Sequence, residues 1–219
     1  MLSKEQEQVK VLKPKLIKGI ENTPSQAIHI EDEGCYMNVC ISDCIVENQL
    51  ASGVSFEGVL FNKVDLKGMT LGSLELTDVR FENCDLSNAD LSGAIIHRAE
   101  FINCKLVGLN LTDATIHNTY MKYCNAQFAH MSFLRMKNTI LENSIFESSN
   151  FQNSSFHKVQ LMECNFRLSQ MSETSLAGID LSSSNVEGLG IQPEDLKGAI
   201  VSTLQAVDLS KLLGLIVKE

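Results

Sequence analysis

Positive charge is what this sequence has too little of. Against 27 Asp and Glu it sets only 18 Lys and Arg, a formal net charge of −9 over 219 residues. That balance argues against a general binder of nucleic acid or of anionic membranes, both of which attract basic surfaces. Long apolar runs are missing too. The longest near the end, "LLGLIV" (212–217), falls far short of the ~20 residues of a membrane span, so no membrane partner is expected. The opening "MLSKEQEQVK" is too polar for a signal peptide. Seven cysteines, an odd number, then suggest reduced thiols in a cytoplasm. Tryptophan is absent and aromatics are sparse, yet 44% hydrophobic and 21% charged residues suit a soluble globular protein of one sizeable or two small domains. No P-loop, GxGxxG or HExxH occurs, and no nucleophile, base and orienting group assemble from the pattern. The expectation is a protein that is not an enzyme and uses no cofactor.

What is present is a period. In "FENCDLSNADLSGA" (81–94), Phe81, Leu86 and Leu91 fall five apart, with Cys84, Ala89 and Ala94 three residues after each. Five is neither the helical nor the strand repeat. Stepping by five from Phe56 to Val201 gives 30 centres, none of them polar or charged. The slot two before each centre is nearly as clean, with Glu194 its one charged residue between Val54 and Ala199. The phase never slips, and it persists weakly back through Tyr36, Ile41, Val46 and Ala51. Two inward residues per five imply a short extended segment, and the Asn, Asp, Ser and Gly between them suit a corner. Repeated at constant length, this makes a coil whose turns stack as parallel strands.

The cysteines set the turn length. Cys44, Cys84, Cys104, Cys124 and Cys164 occupy the slot two before a centre and are separated by multiples of twenty. Alike inward residues line up in columns, so each turn has twenty residues and four sides. On another side Leu106, small Ala126, then Phe146 and Phe166 compensate one another in volume. Residues 36–201 form the coil, a rod roughly 40 Å long at one strand spacing per turn. Residues 1–35, which break the pattern in "EQVKVLKPKLIKGI" and "SQAIHIEDEG", form a capping segment of short strands or a hairpin. Residues 202–219 form the other end: Ser202 and Gln205 make a capping box, a short helix runs to about Leu213, Gly214 stops it, and Leu215–Val217 read as a small strand. The fold class is all-β, a four-sided parallel β-helix with a short C-terminal α-helix.

Several side-chain groupings carry candidate chemistry. Thiols stacked in a line do not converge as zinc ligands do, so the cysteine column reads as small buried hydrophobes and no metal is expected. His97, His117 and His157, with Lys137 between, form an outward ladder. At the C-terminal end, Leu204, Val207, Leu212, Leu213, Leu215, Ile216 and Val217 are more apolar surface than a lid requires. They make either a monomeric lid or the interface of a homodimer joined end to end on a two-fold axis. In the irregular stretch "TYMKYCNAQFAHMSFLRM" (119–136), Tyr123, Phe128 and Phe133 sit at corners that elsewhere hold Gly, Asn or Asp. They mark a bulged turn or a partner-binding anchor. One side of the coil collects Glu82, Glu100, Glu142, Glu163 and Asp180, with Lys63, Arg80 and Lys122 interspersed. Such a side is by default a solvated wall and otherwise a partner surface.

Segments such as "CDLSNADLSGA" resemble the pentapeptide-repeat family, A(D/N)LXX in outline, over about three quarters of the chain. The resemblance implies that the β-helix is right-handed. With "LQAVDLSKLLGLIV" following an uninterrupted repeat, the chain is similar to the quinolone-resistance (Qnr-type) members, in the variety that lacks loops projecting from the coil. Those members imply a cytoplasmic dimer that binds DNA gyrase and topoisomerase IV, mimics DNA at the gate these enzymes use, and protects them from fluoroquinolones, without contacting nucleic acid itself. The charge is thin for a mimic: −9 along roughly 40 Å is about one charge per 5 Å, against one per ~1.7 Å of duplex. Shape and a few contacts, expected on the acidic side and at 123, 128 and 133, must then outweigh bulk charge. The alternative is a scaffold or interaction module with no topoisomerase target, since inner residues encode the coil and outer ones the partner.

Overall fold

The computed structural model describes residues 9–22, 29–46 and 50–218. The chain winds as a parallel β-solenoid. Short strands open it: β1 (Cys35–Met37), β2 (Cys40–Ile45), β3 (Leu50–Ser52), β4 (Ser55–Glu57), β5 (Leu60–Asp65) and β6 (Thr70–Gly72). Five eight-residue strands follow: β7 (Glu75–Glu82), β8 (Ile95–Ile102), β9 (Thr115–Lys122), β10 (Arg135–Glu142) and β11 (Ser155–Met162). Each residue pairs with the one twenty later, as in Phe81↔Phe101 and Phe101↔Met121. The twenty-residue register continues through single bridges to Asp180↔Ile200.

The five-residue unit has a physical explanation at each position. Every centre from Phe56 to Val201 is buried except Phe156, Leu196 and Val201, which are half-buried against the same core. Between residues 33 and 198, every residue with positive φ lies two after a centre position, and all described corners except Ser183 and Pro193 are turned by one such left-handed residue. Asn, Asp and Gly tolerate that conformation best, which is why they recur there. On two sides the chain runs as one long strand, bent at a left-handed corner such as Asp78 (φ 57°) or Asn118 (φ 55°). On the other two sides, from Asp85 onward, each unit is a tight turn with a single bridge. There the residue before the centre is often Asp or Asn, because its carboxyl or amide oxygen accepts from the N–H two residues on. Ser87 N donates to Asp85 Oδ1 (3.0 Å), Ser92 N to Asp90 Oδ1 (2.9 Å) and Thr112 N to Asn110 Oδ1 (3.0 Å).

Inside, columns stack by kind. Phe61, Phe81 and Phe101 lie ring on ring at 4.6 and 4.9 Å. Buried Leu106 and Ala126 precede Phe146 and Phe166, which stack at 5.2 Å. Cys84, Cys104, Cys124 and Cys164 are buried in one column, and Cys124 Sγ donates to Phe101 O (3.3 Å). Burial pushes the Cys164 thiol up to about 11. That thiol is held neutral by a dry environment. Where hydroxyls replace them they bond to the backbone, as Ser144 Oγ does to Glu142 O (2.8 Å).

The N-terminal segment differs from the expected strands and cap. Residues 7, 8 and 25–28 of the two stretches lie outside the described residues. Residues 9–17 form no strand and run along the outer wall, parallel to the rod axis. Leu12 N donates to Asn118 Oδ1 (3.4 Å) and Lys15 N to Asp78 Oδ1 (2.9 Å), two corners of one column. Leu16 and Ile20 cover Cys40 and Leu60, whose side chains point outward. An outer wall with apolar side chains must be covered from outside, and that turns the segment into a strap. Among the described residues before β1, only Ile30 joins the core of the coil.

Asp78 anchors the strap. It is 6% exposed and accepts two bonds of 2.6 Å from the Arg98 guanidinium. Burial opposes its ionisation, but the Arg98 bonds and the Lys15 N–H hold its carboxyl below the usual carboxylate range. A depressed carboxylate contributes stability at neutral pH and loses it as pH falls through the lowered value. Asp78→Ala is expected to free the strap at neutral pH and to speed modification of Cys40 by a thiol reagent roughly tenfold, the equivalent of one charge-assisted bond. Peptide-resolved mass spectrometry reads this, and an unchanged Cys40 rate would show the anchor to be idle.

Candidate partner-binding surfaces

The corner residues Tyr123, Phe128 and Phe133 are 55%, 57% and 48% exposed. Their φ values of 55°, 60° and 57° match those of the Asn corners, and their N–H groups make the regular bonds to the next coil: Tyr123 N to Glu142 O (3.2 Å), Phe128 N to Glu147 O (3.1 Å) and Phe133 N to Gln152 O (2.9 Å). The turn is therefore not bulged, and the rings are not folded into the coil. A large side chain in the left-handed region costs about 1–2 kcal/mol relative to the ordinary region. Folding does not require rings there, since the same corners one coil away hold Asn103, Gly108 and Asp113. The three share one coil but stand at three of its four corners, Asn118 being the fourth. They form a belt, not a patch. Lys122 Nζ lies 4.9 Å over the Tyr123 ring and bonds Glu142 Oε1 (2.7 Å), which fixes that corner.

Leu168 belongs with them and was not singled out from the sequence. It is 44% exposed with φ 57°, in the column of Phe128 two coils on. The signal was available: it is another large apolar residue at a corner phase.

The acidic side is more neutral than its composition suggests. Arg80 pairs with Glu82 and stands 3.6 Å from Glu100, itself 7% exposed. Glu142 is held by Lys122 and the Tyr120 hydroxyl, which together keep its carboxyl below the usual range against the opposing effect of burial. Glu82, Glu100 and Glu142 are thus tied to cations on the same wall. Glu163 and Asp180 form no ion pair among the described residues. The Asp180 carboxylate accepts from Ser182 N (2.9 Å) and Ser182 Oγ (2.6 Å). On the adjoining wall, around the Arg98 and Asn118 corners, His97 and His117 stand 5.0 Å apart, and burial lowers the pKa of each.

At the far end, α1 (Thr203–Ser210) closes the coil. Ser202 and Gln205 form the capping box, and Gln205 Nε2 also donates to Leu181 O (2.8 Å) and Ser184 O (2.7 Å), satisfying carbonyls of the last coil. The helix continues as a 3-10 turn to Leu213 and stops at Gly214, φ 73°. Leu204, Val207, Leu212, Leu213, Leu215, Ile216 and Val217 are all exposed. Leu215–Val217 form no strand. A cavity of about 280 Å³ opens beside the helix, lined by Leu196, Val201, Leu209 and Leu213 among others. No helix among the described residues is long and apolar enough to cross a membrane.

Among solved structures the fold is similar to HetL, a pentapeptide repeat protein involved in heterocyst differentiation regulation from the cyanobacterium Nostoc sp. strain PCC 7120. That match has 20% identity over 78% of this chain and 86% of the other, with a TM-score of 0.49. It is also similar to a trypsin-treated form of QnrB1, a plasmid-mediated fluoroquinolone resistance protein, at 18% identity over 84% and 99% of the two chains, TM-score 0.44. Likenesses of this strength carry no argument about role. No curated protein matches the sequence. The sequence does match the family model of the pentapeptide repeat region, over residues 74–144 and 94–176. Across these residues the match falls on the five-residue unit whose centres, corners and stacking are described above, and residues 74–176 are a pentapeptide-repeat region.

Proposed function

We propose that this solenoid is a non-enzymatic, dimeric protein that binds a type II topoisomerase, DNA gyrase or topoisomerase IV, and protects it from fluoroquinolones by occupying the place of DNA. The observation that carries this reading is the C-terminal end: a coil without projecting loops that finishes in a short helix with an exposed apolar face. Two coils joined there would make a rod of duplex-like length. Since three of five carboxylates on the acidic wall are ion-paired, the contacts are made by shape and by the corner belt. The belt supports the wider reading as well. Rings held out from the coil in a costly backbone conformation favour a protein partner, whichever it is.

The test is gyrase supercoiling in the presence of ciprofloxacin. Added protein is expected to restore supercoiling, and Tyr123→Asn, Phe128→Asn and Phe133→Asn together are expected to abolish the effect. The same triple variant should unfold no more easily than the parent, because Asn suits a left-handed corner. No rescue and no inhibition at any dose would leave an interaction scaffold without a topoisomerase target.

A further inference from the structure

Among the described residues, the ladder of coils opens after β11. Beyond β11 the next coil would supply residues 175–182, the sixth in the series of long strands. The sequence there, "SLAGIDLS", instead makes turns of the other kind. Ile179 N bonds back to Leu176 O (2.9 Å), and Ser182 N bonds Asp180 Oδ1 (2.9 Å). Its remaining backbone groups pair onward, Gly178 N to Gly198 O (2.9 Å) and Leu181 N to Ile200 O (2.8 Å). Val159–Met162 pairs with β10 on one side, but among the described residues none pairs in register with it on the other, although the bridges resume at Asn165↔Asn185. At the adjoining corner the ladder bond is replaced by a side chain: Glu163 N donates to Ser183 Oγ (3.2 Å), where Asn143 N donates to Met162 O.

The gap is a groove of about 1010 Å³ between β11 and residues 177–183. Phe156 lines it and is half-buried, unlike most other centres, because the coil that would cover it has turned away. Gln160 Oε1 is buried there and accepts no hydrogen bond from the described residues. Among the described residues, Lys10, His117, Lys137, His157 and Lys158 line the groove against one carboxylate, Asp180. Lys10 and Lys137 form no ion pair among the described residues.

We propose that this groove binds an extended, acidic peptide segment of a partner protein, which adds a strand along Val159–Met162. The strand edge supplies backbone donors and acceptors, Phe156 offers an apolar seat, and the cations select the sign of the side chains. The site is separate from the corner belt and does not depend on the topoisomerase reading.

The experiment uses the full chain and a fluorescent eight-residue peptide alternating Glu with Val, with a Lys and Val peptide as its counterpart. Saturable binding of the acidic peptide is expected, weaker by about tenfold or more for the basic one. Lys10→Glu with Lys137→Glu, both on the surface, should weaken the acidic peptide by a similar factor while leaving the circular dichroism spectrum unchanged. Hydrogen exchange should slow at the amides of Val159–Met162 when the peptide is bound. Equal binding of both peptides, no binding of either, or binding without protection of those amides would overturn the proposal. So would loss of peptide binding in the triple belt variant, which would move the contact to the corners.

Discussion

Phe101→Ala is expected to lower stability by about 3–5 kcal/mol, the cost of a large cavity in a close-packed core. Phe101 is almost fully buried, stacks on Phe81 at 4.9 Å and lies in register with Met121. A solenoid coil touches only its two neighbours, so a void cannot be filled from elsewhere in the molecule. Phe128→Ala, which removes the same ring from a corner, should change stability by less than about 1 kcal/mol because that ring covers little core. Urea unfolding followed by circular dichroism gives both values from the midpoint at constant slope. If the two variants unfolded alike, the division of the five-residue unit into inner and outer positions would fail.

The second large effect concerns the C-terminal face. Leu213→Glu with Ile216→Glu is expected to weaken self-association by at least about 100-fold. Each buried apolar side chain contributes about 1.5–3 kcal/mol, and a two-fold interface counts every substitution twice. Both side chains are largely exposed in the single chain, so the monomer should keep its stability. Sedimentation at micromolar concentration measures the outcome: the parent sediments as a dimer and the variant as a monomer. A monomeric parent would make the exposed face a simple lid.

The core was legible because its rule is local. A centre such as Phe81 or Leu86 is apolar wherever it falls in the coil, and a five-residue phase places it without knowledge of any other contact. Corners were legible for the same reason: Asn83 and Gly93 turn the chain because of their own backbone preferences. The capping box could be read because Ser202 and Gln205 are three residues apart. The acidic wall could not, since Arg80 meets Glu100 and Lys122 meets Glu142 only when twenty residues have closed a turn. A list of carboxylates along one side does not show which of them a cation on the next coil has already engaged.

The strap and the groove lay further from view. Leu12 and Lys15 find partners at Asn118 and Asp78 through backbone N–H groups, which every residue type carries, so no residue type announces the contact. The opening after β11 depends on whether one coil follows the strand or the turn conformation, and the phase of five is the same in both. By itself the amino-acid sequence determined the coil, its inward columns and its corners, because each follows from hydrophobicity and backbone preference within five residues. Tertiary structure alone decided which outer charges are paired, where the N-terminal segment lies and where the ladder parts, because those rest on contacts between residues twenty to more than a hundred positions apart.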